Sequence, residues 1–132
     1  MILDTPKEKR IVYAGLYWSA TYTANSSKNA RTNVFTAVDA TREAFDKIKI
    51  KLPNEDLYTD IQGKLIFDGY EKPSFKESAP YAMYADITEL VKKSNSPIGT
   101  YTVANIKSTV GTFSGGVSVG WTIISVFEVV CM

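Results

Sequence analysis

Histidine is absent from this 132-residue chain, and cysteine occurs once, as Cys131. The first absence removes the commonest general base and the commonest zinc ligand, which argues against most hydrolases and against catalytic zinc. The second excludes an intrachain disulfide, so this is not a small cystine-stapled module, although export is not thereby excluded. Charge of either sign is also lacking in excess. Fifteen Lys+Arg against fourteen Asp+Glu leave a net charge of +1, with no long-range field to gather nucleic acid or an anionic membrane. No apolar run reaches the roughly 18 residues that a membrane-spanning helix needs. The opening residues 1–6 (MILDTP) lack the basic start and apolar stretch of a signal peptide. The expectation is a protein whose targeting segment, if it is exported, was removed or lies upstream of this sequence.

What is present points to β-structure. Eight Tyr, six Phe and two Trp in a 45% hydrophobic chain suit pleated surfaces, where aromatics pack well. The length fits one domain with a substantial core. Residues 10–21 (RIVYAGLYWSAT) are apolar on both faces, as in a central strand, with Val12, Ala14, Leu16 and Trp18 on one side and Ile11, Tyr13 and Tyr17 on the other. Residues 23–33 are a polar loop, and 34–46 read as irregular or as a short helix. Residues 46–52 (DKIKIKL) alternate strictly, Ile48, Ile50 and Leu52 inward and the lysines outward. Such a lysine row is more often a solvated face than a polyanion site.

Turns at residues 53–56 and at Asp68-Gly69 separate further short strands at 58–60, 63–67 and 81–85. One helix is expected near residues 87–93, opened by Asp86 and Glu89 as a capping box and closed by Lys92 and Lys93. Residues 99–106 and 115–128 read as two long strands joined by a Gly/Ser/Thr hairpin connection. A strand as apolar as the second belongs in the middle of a sandwich or against a partner. There is no internal repeat. The predicted fold is an all-β antiparallel sandwich, jelly-roll-like, with one short helix.

Chemistry-bearing patterns are sparse. Asp56, Asp60 and Asp68 are candidate calcium ligands near turns, yet the dense D-x-D-x-D-G spacing is missing and each has a local turn role. The expectation is no cofactor, with structural calcium the lesser alternative. Trp18 and Trp121 sit in the most apolar strands and are expected in the core. Tyr22 and Tyr70, in polar context, are the better exposed candidates for stacking on a sugar ring. The glycines of residues 111–120 lack the Gly-Lys-Ser/Thr ending of a phosphate loop and lead into a strand. Serines and Cys131 have no histidine to activate them. No catalytic residues are assigned, and an enzyme is not expected.

The ordered set YAGLYWSA (13–20), KIKLP (49–53), YAMYADITELVK (81–92), GTYTVANI (99–106) and GGVSVGWTIISVFE (115–128) resembles a β-sandwich module of large secreted bacterial surface proteins. These are gliding-motility-type and adhesin-like proteins, some carrying immunoglobulin-like repeats. The resemblance covers most of residues 10–128 and rests on order, each motif being a plain strand pattern. It implies a non-enzymatic surface domain, extracellular or at the cell surface. Its partners would be a protein, neighbouring domains of the same protein, or a glycan. In the family the last strand is followed by more chain. The sequence is therefore expected to form one domain over residues 1–132, or the first part of a larger sandwich. In the second case the terminal strand would offer Ile123, Ser125, Phe127 and Val129 as an edge for strand addition. The alternative reading is a carbohydrate-binding module.

Overall fold

The computed structural model describes residues 7–23, 35–37, 42–75, 78–94, 97–113 and 117–131. The predicted polar loop, part of the 34–46 segment and the centre of the glycine-rich connection lie outside these residues. Nine strands and one α-helix are present among them: β1 Lys7–Thr21, β2 Phe35–Ala37, β3 Lys47–Lys51, β4 Thr59–Gln62, β5 Lys64–Asp68, β6 Pro80–Asp86, α1 Thr88–Lys92, β7 Thr102–Ala104, β8 Gly111–Phe113 and β9 Val119–Cys131. They form a four-stranded sheet β5-β6-β1-β9, a three-stranded sheet β4-β3-β7 and a two-stranded ribbon β2-β8. Every pairing is antiparallel. The all-β sandwich expectation holds.

One core fills the space between the two larger sheets. From the four-stranded sheet come Ile11, Ala14, Leu16, Trp18, Ala20, Tyr81, Met83 and Ala85; from the other come Ile48, Ile50 and Ile61, with Leu52 just past β3. Each fully buried large apolar side chain contributes about 1.5–3 kcal/mol relative to exposure. The alternation of β3 is as the sequence predicts, Ile48 and Ile50 buried. Its outward Lys49 pairs with Asp60 across the β4 ladder at 2.6 Å. The central position of β1 holds as well, but its phase does not hold throughout. A bulge between Ile11 and Tyr13 inserts Val12 as an extra residue, so the side-chain period slips there. Ile11 consequently joins the core, while Val12 is 46% exposed.

Two other local expectations are corrected. Asp86 does not form the capping box: its carboxylate accepts the Thr88 backbone N–H at 2.9 Å and the Thr88 hydroxyl at 2.5 Å. Ile87 takes the cap position without a side-chain bond. The short Thr88 side chain reaches Asp86 from within the same turn, and its oxygen also accepts the Ala14 N–H at 3.0 Å, which ties α1 to β1. The strand pair expected as a hairpin is split between layers, because β7 pairs with β3 and β9 pairs with β1. Within residues 34–46, Phe35–Ala37 is strand, paired with β8.

Beneath Trp18 the backbone comes close at Gly63, where an added Cβ would overlap the far edge of the indole ring and crowd Met83. The indole is 2% exposed, so making room for the added carbon means shifting a buried ring. Gly63→Ala is expected to lower stability by about 1–3 kcal/mol, read as a lower urea midpoint at unchanged slope. Gly120→Ala, which meets nothing within 4 Å, should stay within about 0.5 kcal/mol of wild type.

Tyr81 lies in the same core, its hydroxyl donating to the Lys107 carbonyl at 2.6 Å. Burial pushes this phenol well above the ordinary value of 10.0. Folding thus favours the neutral form, and the associated stability is complete below pH 10 and lost as pH rises through the folded-state value. Stability to urea is therefore expected to fall steadily above pH 10. In an alkaline absorbance titration at least one phenolate should appear only together with unfolding. Full ionisation of all tyrosines in a folded protein would contradict this.

Candidate contact site along the last strand

β9 is 13 residues long and lies at one end of the four-stranded order, beside β1 alone among the described strands. Its register against β1 sets the direction of its side chains, because residues opposed in an antiparallel pair share a face. Val119, Trp121, Ile123, Ser125 and Phe127 stand opposite Ala20, Trp18, Leu16, Ala14 and Ile11, so they occupy the core side of the sheet. The β1 partners are all buried. On β9, however, Val119 is 57% exposed and Trp121 41%, and only Ile123 packs partly on the core. Among the described residues the core cluster draws on β1, β6, β3 and β4, and from β9 on Ile123 alone. Trp121, expected in the core, is therefore at the surface.

The backbone of this strand has a direction too. The Thr21 N–H donates to the Ser118 carbonyl at 3.0 Å, and the Ser118 N–H donates to the Thr21 hydroxyl at 3.1 Å. Counting from that bonded pair along an alternating ladder, residues 119, 121, 123, 125, 127 and 129 turn their N–H and C=O groups away from β1. The predicted edge residues Ile123, Ser125, Phe127 and Val129 belong to this set, together with Val119 and Trp121. Sequence reasoning did not include those two, since nothing in an apolar strand pattern tells which of its rows lacks a cover.

On the opposite side of β9, Ile124 and Val126 are about half exposed and stand opposite Gly15 and Tyr13. Beside them Tyr13, Tyr17 and Tyr84 form a hydroxyl chain, 3.3 Å from Tyr13 to Tyr17 and 3.0 Å from Tyr13 to Tyr84. Gly15 is required here, because the Tyr13 ring folds over its Cα. Towards its C-terminal end the core side of β9 runs into an open cleft of about 680 Å³, whose walls include Ile11, Val91, Pro97, Ile98 and Phe127. Glu128, the one charged residue of β9, pairs with Arg10 of β1 at 2.8 Å.

The other candidates do not gather. Tyr22 is buried, contrary to the expectation of exposure, and its hydroxyl accepts the Glu43 N–H at 2.8 Å. Tyr70 is half-buried with the Arg42 guanidinium 4.7 Å over its ring. Asp56 is exposed in a turn. Asp60 faces Lys49, whose bond and charge hold the carboxyl below its ordinary value. Asp68 accepts the Tyr70 N–H and forms an ion pair with Arg42 at 3.0 Å. Among the described residues no three His, Cys, Asp or Glu side chains are grouped as a metal site would need.

Comparison with protein-family models, with curated proteins and with solved structures finds no match for this chain.

Arg42 also lies 4.7 Å over the Phe45 ring and donates to the Tyr22 carbonyl at 2.7 Å. Its ion pair with Asp68 is nearly enclosed, with side-chain exposures of 11% and 12%. Removing one partner leaves an enclosed charge uncompensated. Asp68→Asn is expected to cost about 3 kcal/mol, whereas Lys49→Gln at the open pair should cost under about 1 kcal/mol. Chemical denaturation of the two variants provides the check.

Proposed function

We propose that this chain is a non-catalytic structural or adhesive module of a bacterial cell-surface protein. Its jelly-roll-like scaffold presents the outer edge of β9 to an extended segment of a protein partner or neighbouring domain. The observation that carries the reading is the exposure of β9, a long apolar strand with one neighbour among the described strands and a core side of which Val119 and Trp121 are exposed. The ordered strand motifs favour the surface setting. Strand addition takes its affinity from main-chain hydrogen bonds and its selectivity from alternate side-chain sites. The row from Val119 to Val129 provides both, and no cofactor is needed. A glycan reading draws on Tyr13, Tyr17 and Tyr84, whose rings share one sheet face.

An array of extended peptides alternating apolar and polar residues, set beside a glycan array, tests this reading. Labelled protein is expected to bind a subset of the peptides. Ser125→Pro should weaken that binding at least tenfold with an unchanged circular dichroism spectrum, because the Ser125 N–H turns away from β1 and proline is tolerated on such an edge. Equal binding by the variant, or binding confined to glycans, would sink the edge reading. Turnover in a hydrolase panel would sink the non-catalytic one.

A further inference from the structure

The edges of the two larger sheets are not alike. β5, at the far side of the four-stranded sheet, has five residues, is flanked by Lys64 and Asp68, and carries a bulge between Leu65 and Phe67. β4 has four residues and includes Asp60, and β7 has three. Short length, charge and bulges are the devices by which sheet edges avoid pairing. β9 is long and not itself bulged, the bulge in its ladder lying on β1; it has no lysine, arginine or proline, and its single charge is held by Arg10 of the same molecule.

Its sequence is also matched to itself. The midpoint of Val119–Cys131 is Ser125, one of the residues whose backbone turns outward. A two-fold axis there pairs residue i with residue 250 − i of the other copy. On the core side Trp121 then meets Val129 and Ile123 meets Phe127, with Ser125 against itself. On the other side Ile124 meets Val126, and Thr122 meets Glu128. Every apolar residue in this span faces an apolar one, and no charge is opposed by a like charge. The net charge of +1 per chain adds no long-range repulsion between copies.

We infer that the occupant of the β9 edge is a second copy of this chain, joined antiparallel about Ser125, so that two four-stranded sheets merge into one of eight. This rests on the reading of β9 as a contact edge and names the partner. A two-fold contact of this kind is self-complementary and closes on itself.

Two measurements test the inference. Light scattering behind size exclusion should give twice the 14.6 kDa of one chain at about 100 µM, a concentration well above a micromolar Kd. Ser125→Lys should return the mass to that of one chain, with unchanged circular dichroism. In a Cys131→Ser background, Ser125→Cys should form a disulfide-linked dimer on mild oxidation, because the axis brings residue 125 of each copy to a Cα separation of about 5.5 Å. Thr122→Cys should not, since it lies opposite Glu128.

A wild-type monomer at 100 µM, an open-ended series of larger species, or cross-linking at residue 122 in place of 125 would overturn the inference. Peptide binding by a monomer would overturn it while leaving the edge reading intact. A monomer that binds no peptide would overturn both.

Discussion

Among the described residues a four-stranded sheet shares one core with a three-stranded one and leaves β9 largely exposed, and much of this structure is arranged around that mismatch. β1 is paired on both sides, so its core row of Ala14, Leu16, Trp18 and Ala20 is closed by neighbours in plane and by β3 and β4 below. β9 continues the same row sideways, beyond the reach of the second layer. Its residues are of core type and its environment is not. Fully burying a large apolar side chain is worth about 1.5–3 kcal/mol, so a strand with Val119, Trp121 and Val129 at 38–57% exposure forgoes a good part of each such contribution. The outward main-chain groups and the uncovered row lie on the same residues, and one added strand would engage both.

Much of this was legible in the sequence, for a physical reason that differs by element. The lysine–isoleucine alternation of β3 announces a half-buried strand because side-chain direction there depends only on parity. The helix over residues 88–92 is visible from its acidic start and basic end, yet its cap is not the one that spacing suggests. Asp86 takes both the amide and the hydroxyl of Thr88, and sequence spacing does not rank competing donors. The phase slip at Val12 was hidden because Ile, Val and Tyr on either side of a bulge are all acceptable in a strand. Only the ladder to β9 shows where the extra residue sits.

The candidate site shows the same division. That the terminal strand was either central or an edge against a partner could be read from its composition, and Ile123, Ser125, Phe127 and Val129 share a parity. Trp121 has that parity too but was assigned to the core, because an apolar strand reads alike whether or not a second layer reaches it. Tyr22 failed in the opposite direction. Its polar sequence neighbours suggested a surface, but Phe45 at 6.2 Å and Tyr81 at 6.4 Å enclose its ring. Both errors concern what covers a residue, which is set by elements far away in the chain. Asp68 belongs with them: its local role as a turn cap was foreseeable, whereas its ion pair to Arg42, 26 residues earlier, was not.

The placement of β9 also bears on when the site comes into being. The β1–β9 ladder joins residues 99 to 124 positions apart, from Ala20 with Val119 to Lys7 with Cys131. Contacts of such separation require most of the chain to be ordered before they are rewarded, because the loop-closure entropy comes first. Thr109 helps to hold that closure. Its N–H and its hydroxyl both donate to the Thr21 carbonyl, at 2.8 and 3.1 Å, and its hydroxyl accepts the Thr23 N–H at 3.0 Å. This pins the loop after β7 to the end of β1 just where β9 begins. A row of exposed valine, isoleucine and tryptophan is hazardous in a partly folded chain. Among the described strands β9 takes its register from β1, and β1 is held by a core to which β3 and β6 contribute. The exposed edge of β9 is thus a product of the finished fold, and what stabilises Trp18 in its pocket also aligns Trp121 beside it.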